Sequence, residues 1–262
     1  MVTFFQDEWR RVTRAVRTLD VQTMVVLTLA AFVVILHFNV GSRSVFLRHL
    51  ADGFDPSWRT LWSWGWWFGT KGILGFVVPL LVLYVVFGRS ARECGIGLGN
   101  WRLATGIAAL YLPLVAVGTW ILSDGSAFQG QYPHFRGAAF NWQFFLIYEA
   151  LFLFYWMGWE YLWRGFVLFG TIHKLGLYAI FVQAVPFAVL HVDKPWPEAM
   201  LSIVGGIALG ALCWRCRSFW IAVPIHAAQM MLLDFWCTLR ARSDVDGWGW
   251  SALMEALSAL GG

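Results

Sequence analysis

The chain has 262 residues, of which 59% are hydrophobic and only 13% charged, and its mean hydropathy is +0.62. A soluble globular protein carries about twice that charged share, and here the apolar residues come in long runs. A disordered chain and an ordinary soluble domain are excluded, which leaves a polytopic membrane protein. The net charge of +4 and pI near 9.0 do not indicate nucleic acid, because Lys and Arg sit between apolar runs, where membrane topology accounts for them. The 18 Trp and 22 Phe suit a bilayer interface.

In chain order, residues 1–20 place Arg10, Arg11, Arg14 and Arg17 among Phe4, Phe5, Trp9, Val12 and Val16. This pattern predicts an amphipathic helix on the membrane surface. A first span follows over 22–40, too long for a signal-peptide core. A polar stretch, 41–60, leads to the cluster Trp62, Trp64, Trp66, Trp67 and Phe68, an interfacial belt. Spans are predicted over 72–88 and 103–122, with a polar loop over 123–139. The run 141–171 would be about 46 Å long as one helix, longer than a hydrocarbon core of about 30 Å. It must tilt, protrude or break, with Gly158 the natural weak point. Further spans are predicted over 175–191, 199–214 and 219–238, and a surface tail over 246–260. The fold class expected is all-α, a helix bundle of about seven spans with surface helices at both ends. The organisation is one surface helix, 1–20, and a single membrane domain, 21–262. With the N-terminus inside, ten loop Lys and Arg face the cytoplasm against seven outside, which favours that orientation. Cys213 and Cys216 form a CxxC, read as small apolar helix-end residues before any redox or metal role.

An ionisable side chain within a span costs roughly 2.5–3.5 kcal/mol, so each one prompts a functional hypothesis. The candidates are Glu149, Glu160, Arg164, His191, His226 and Asp234. Glu149 and Glu160 share a helix face, and Arg164 is one turn beyond Glu160 and can pair with it. Taken alone, that pair is equally well a self-neutralising structural contact. Counting about 1.5 Å per residue from the turns, however, Glu160, His191 and His226 fall at similar depths on three helices. One carboxylate and two imidazoles can thus converge inside the bilayer. Pro186 and Pro224 precede the two histidines and are positioned to kink their helices. Gly206 and Gly210 form a GxxxG, read as helix packing.

These residues resemble the CPBP intramembrane proteases, which include the CAAX prenyl endopeptidases of the Rce type and bacteriocin-processing or immunity proteins. Glu160-Tyr-Leu-Trp-Arg164-Gly165 resembles the ExxxRG motif, Phe187-Ala-Val-Leu-His191 the FxxxH motif, and His226 the start of the third. The resemblance covers about 141–238, the protease-like core. Two positions depart from the pattern. Trp159 stands where the prenyl proteases carry the glutamate taken to activate water, and Met230 where they carry Asn or Asp. The W-E-x-x-x-R-G form is similar to a branch to which the myxosortases are related.

The resemblance implies a metal-free, glutamate-type hydrolysis. Glu160, helped by His191, takes a proton from water. His226 binds the developing oxyanion, with Gln229 or Asp234 orienting it. It implies no cofactor, although Glu160, His191 and His226 are also a His₂Glu zinc set. The implied substrate is a membrane-anchored or lipidated protein cut near its C-terminus, in a bacterial or archaeal plasma membrane. No nucleic-acid partner is expected. The alternatives are a non-enzymatic scaffold or immunity protein with the same fold and, ranked below it, a transporter.

Overall fold

A computed structural model describes residues 2–261, and among these no strand occurs. The surface helix is α1 (Val2–Val16), whose Phe4, Phe5, Trp9, Val12 and Val16 are all exposed. Then come α2 (Val21–Val40), the short α3 (Arg43–His49) and α4 (Arg59–Val86). Asp20 caps α2 by accepting the Thr23 N–H at 2.8 Å, the usual service of an N-cap carboxylate. α4 takes in both the predicted 72–88 span and the Trp cluster before it. Lys71, which the sequence places at a boundary, therefore lies buried in mid-helix.

α5 (Trp101–Leu122) begins at the Asn100 cap. The expected polar loop folds instead into two short helices, α6 (Ser126–Gln131) and α7 (Arg136–Phe140). α8 occupies residues 142–175 as one rod: Trp142–Glu160 is α-helical, Tyr161–Val167 widens to a π-helix and Leu168–Leu175 is α-helical again. After Gly176 come α9 (Tyr178–Val189), α10 (Trp196–Cys216), α11 (Ala222–Ser243) and the tail helix α12 (Trp250–Ser258). α12 buries Ala252 and Ala256 in a cluster with Trp120, Leu239 and Val245.

Among the described residues, four helices are long and apolar enough to cross a membrane by length and composition: α2, α4, α5 and α10. Their outward faces expose Phe32, Ile35, Val85, Leu110, Leu114, Leu201 and Val204, far more apolar surface than water tolerates. The predicted 175–191 span is shorter than expected. α9 has 12 residues, about 18 Å, because the chain turns at His191–Lys194 and meets Pro195, the N-cap of α10.

Two sequence expectations are corrected. Gly158 is not where α8 breaks; the helix changes at Tyr161, and Gly158 is a crossing point. A Cβ there would stand 2.1 Å from the Lys71 carbonyl oxygen, and one on Gly75 of α4 would stand 2.4 Å from the Gly158 oxygen. α4 and α8 touch backbone to backbone through these small residues, as close transmembrane crossings require. Gly158→Val is accordingly expected to destabilise the chain by about 1–3 kcal/mol, the range for overpacking, read as earlier thermal unfolding in detergent. Pro224, in turn, does not kink α11. It lies in the first turn of that helix, where a missing N–H has no intrahelical acceptor to lose. The Gly206/Gly210 pair does pack: Gln183 of α9 lies over it and donates to the Gly206 carbonyl at 2.8 Å. Cys213 and Cys216 are buried and free.

α8 is the axis of the bundle, against α2, α4, α9 and α11. Its aromatic side is packed by ring contacts, including Phe68 stacked on Phe152 with centroids 4.4 Å apart. This leaves the buried charges of α8 facing α11 and α9.

Candidate active site

The site is assembled where the π-helical stretch of α8 meets the C-terminal end of α9 and the second turn of α11. α4 widens in the same way over Ile73–Val77 and Val82–Val86, so what distinguishes this stretch is the side chains it carries and not its π geometry. All seven residues of this one are buried. Gly165 is required locally, because the Tyr161 ring lies where its Cβ would be, at 2.2 Å.

Glu160, Arg164 and His226 form one chain of contacts. Arg164 Nη1 donates to Glu160 Oε1 at 3.0 Å, and His226 Nδ1 lies 2.6 Å from the same oxygen. A carboxylate only accepts, so His226 carries its proton on Nδ1 and its Nε2 points away from Glu160. Glu160 and Arg164 have zero exposure, while His226 retains 6%.

His191 is set by Phe187. The backbone N–H of His191 goes to the Ala188 carbonyl, and the Phe187 carbonyl takes the His191 ring at 2.7 Å through Nδ1. A carbonyl cannot donate, so Nδ1 is protonated here too and Nε2 is left with its lone pair when the ring is neutral. The Phe187 ring also lies under the Arg164 guanidinium, 3.9 Å from its centroid, a cation–π contact. Phe187 thus ties the ExxxR pair to the FxxxH histidine, which is a physical reason for both patterns to occur together.

Two lobes of one cleft meet at these histidines. An aromatic lobe of about 400 Å³ is walled by Trp64, Trp67, Phe68, Trp156 and Trp159. An apolar lobe of about 570 Å³ runs between α5 and α10, past Ile107, Leu201, Val204 and Leu212. His191, His226, Glu198 and Met230 line both, and Glu160 lines neither.

The remaining predicted residues are placed as follows. Gln229 accepts from the Tyr111 hydroxyl at 3.2 Å rather than from His226. Asp234 is fully buried two turns further along α11, with its carboxyl group next to that of Glu149. Neither Gln229 nor Asp234 holds the His226 ring; Glu160 does. Glu149 and Glu160 do share the face of α8 that meets α11. Zinc does not fit these side chains. Glu160 Oε1 is already shared by a guanidinium and an imidazole N–H, and a dication beside Arg164 would be repelled. Among the described residues, no group of three His, Cys, Asp or Glu side chains is arranged to hold a metal ion.

Sequence reasoning missed a polar cluster beside the histidines. Lys194 Nζ donates to the Tyr132 hydroxyl at 2.9 Å and to His134 Nε2 at 3.0 Å. The Tyr132 hydroxyl lies 2.7 Å from both Glu198 oxygens. Burial, and next the Lys194 charge, push His134 down to about 3, so it is neutral near pH 7 and accepts from the ammonium. The available signal was Glu198 itself, an acid in the first turn of an apolar helix directly after Pro195.

This architecture defines a helical membrane protein with a Glu–Arg pair and two histidines joined beneath a bilobed cleft. Residues 137–232 match the family described as Type II CAAX prenyl endopeptidase Rce1-like. The matched segment holds Glu160, Arg164, His191 and His226, so the similarity to CPBP intramembrane proteases is shown over the part of the chain that builds the site. That family is membrane-embedded and acts on membrane-associated prenylated substrates. No curated protein and no solved structure matched the chain.

Proposed function

We propose that the protein is an intramembrane endopeptidase that hydrolyses a peptide bond near the C-terminus of a membrane-anchored or lipid-modified protein. The observation that carries this reading is the pair of imidazoles on one cleft, each with Nδ1 fixed by an acceptor and Nε2 left for chemistry. The apolar lobe suits the lipid or apolar anchor of a substrate, and the aromatic lobe suits the chain leading to the scissile bond. His226, with Nδ1 held by the Glu160 carboxylate, turns Nε2 toward the oxyanion, which it stabilises as a hydrogen-bond donor. His191, whose Nε2 accepts, assists removal of a proton from water. Glu160 supports this chemistry from beneath His226.

The test compares C-terminal peptides of the membrane proteome in cells carrying the wild-type chain, His191→Ala or His226→Ala. Each substitution is expected to lower processing by about 10²–10⁴-fold with the protein still accumulating. Trp159 and Met230 favour a second reading, a non-enzymatic scaffold or immunity protein. Under that reading both variants keep the biological effect, and identical C-termini in all three strains would replace the first reading with it.

A further inference from the structure

A water-activating carboxylate has to satisfy two conditions at once: it must reach the cleft, and it must be held there. Glu160 is held, but it does not reach the cleft. It has zero exposure and lines neither lobe, and Oε1 is taken by Arg164 and His226. One residue earlier, where the family motif carries its other glutamate, Trp159 presents an indole, with Lys71 Nζ 4.3 Å from the ring centroid. An indole takes no proton from water.

Glu198 meets both conditions. It is partly exposed, and it is the one acidic side chain lining either lobe, each of which also holds His191 and His226. Its carboxylate is fixed by the Tyr132 hydroxyl at 2.7 Å, and that hydroxyl is fixed by Lys194. It stands in the first turn of α10, where the helix dipole favours an anion. The turn His191–Lys194 and Pro195 return the chain to α10, so that Glu198 lines the same two cavities as His191.

We propose that Glu198 is the carboxylate that deprotonates the attacking water, so that the group missing at position 159 is supplied by the next helix. This deepens the hydrolase reading and rests on it. In the step, a Glu198 oxygen accepts a proton from water as the water oxygen bonds to the scissile carbonyl carbon. The carbonyl π electrons move to its oxygen, which accepts a hydrogen bond from His226 Nε2–H, a proton the ring holds before the step and keeps through it while Nδ1–H stays on Glu160. The tetrahedral species then collapses, the C–N bond breaks, and the proton held by Glu198 passes to the leaving nitrogen. The products are a carboxylic acid and an amine, and no other reactant is needed.

The test adds Glu198→Gln, Glu198→Asp and Tyr132→Phe to the strains above and measures the cleaved-to-intact ratio of every C-terminus processed by the wild-type chain. Glu198→Gln is expected to lower that ratio by about 10²-fold or more at the same termini that His191→Ala affects. Glu198→Asp keeps the charge but withdraws it by roughly one bond length. A displacement of about 1 Å can cost about 10²-fold, so partial activity between Glu198→Gln and the wild type is expected. Tyr132→Phe, which frees the carboxylate without removing it, is expected to lower processing less than Glu198→Gln. Should Glu198→Gln fail to accumulate, Glu198→Asp decides, and full activity there overturns the assignment. Glu198→Gln within threefold of wild type, with His191→Ala inactive, overturns Glu198 and leaves the hydrolase standing. No terminus distinguishing wild type from His191→Ala overturns both.

Discussion

Arg164→Met should sharply reduce the amount of folded protein in the membrane, and Glu160→Gln/Arg164→Met should restore much of it. The guanidinium and the Glu160 carboxylate are both fully buried and 3.0 Å apart. Removing one member of such a pair leaves the other charge without compensation in a low dielectric, a loss of about 3–5 kcal/mol. In a chain whose total stability is about 5–15 kcal/mol, that is a large fraction. His226 still contacts Glu160 when Arg164 is gone, so the loss should fall toward the lower end. Replacing both charges by neutral side chains removes the penalty as well as the attraction, and such double replacements are often close to neutral. The measurement is a double-mutant cycle on thermal unfolding in detergent, with accumulated protein as a second readout. An Arg164→Met chain as stable as wild type would mean that the pair carries no structural weight.

The same pair shows what a sequence can and cannot reveal about a site. Glu160, Arg164, His191 and His226 were legible because charges in apolar runs are costly and because their spacing resembles a known set of motifs. What each one touches was not legible. The role of water base fell to Glu160 by motif, yet its oxygen is enclosed by Arg164 and His226; burial depends on the helices packed around a residue. Gly158 read as a weak point because sequence shows a missing side chain but not the Lys71 carbonyl that fills its place. Pro224 read as a kink because the start of α11 was placed at 219 rather than at Ala222. Glu198 went unremarked and Lys194 counted only as one of the seven outside loop charges, because polar residues between spans are ordinary and only the fold turns this loop inward. Of the bundle itself, the apolar runs located α2, α5 and α10 closely. They did not show that α9 is short or that α8 continues through a widened turn.

Glu160→Gln/Arg164→Met is expected to fold and yet to hydrolyse substrate about 10²–10⁴-fold more slowly, with the loss in kcat and little change in KM. The reason lies in the 2.6 Å contact between Glu160 Oε1 and His226 Nδ1. In the ground state a neutral glutamine oxygen can accept that proton, so the ring keeps its orientation and substrate binding is preserved. In the transition state charge develops on the substrate oxygen, which accepts from Nε2–H of a His226 ring that carries both its protons before and after the step. A carboxylate beneath the ring lowers the energy of that imidazolium, and an amide does so far less. In the serine-protease triad, exchange of the buried aspartate for asparagine costs about 10⁴-fold in kcat by imposing the wrong histidine tautomer, a loss the accepting glutamine oxygen avoids here, so that figure is an upper bound. An interaction made only in the transition state lowers kcat and kcat/KM together. The neutral double variant is the right vehicle, because Glu160→Gln alone also strands the Arg164 charge and confounds catalysis with folding. Steady-state kinetics in proteoliposomes, on a peptide corresponding to a processed terminus, reads the outcome. Wild-type kcat in the folded double variant would show that His226 works without its anion and would remove Glu160 from the chemistry altogether.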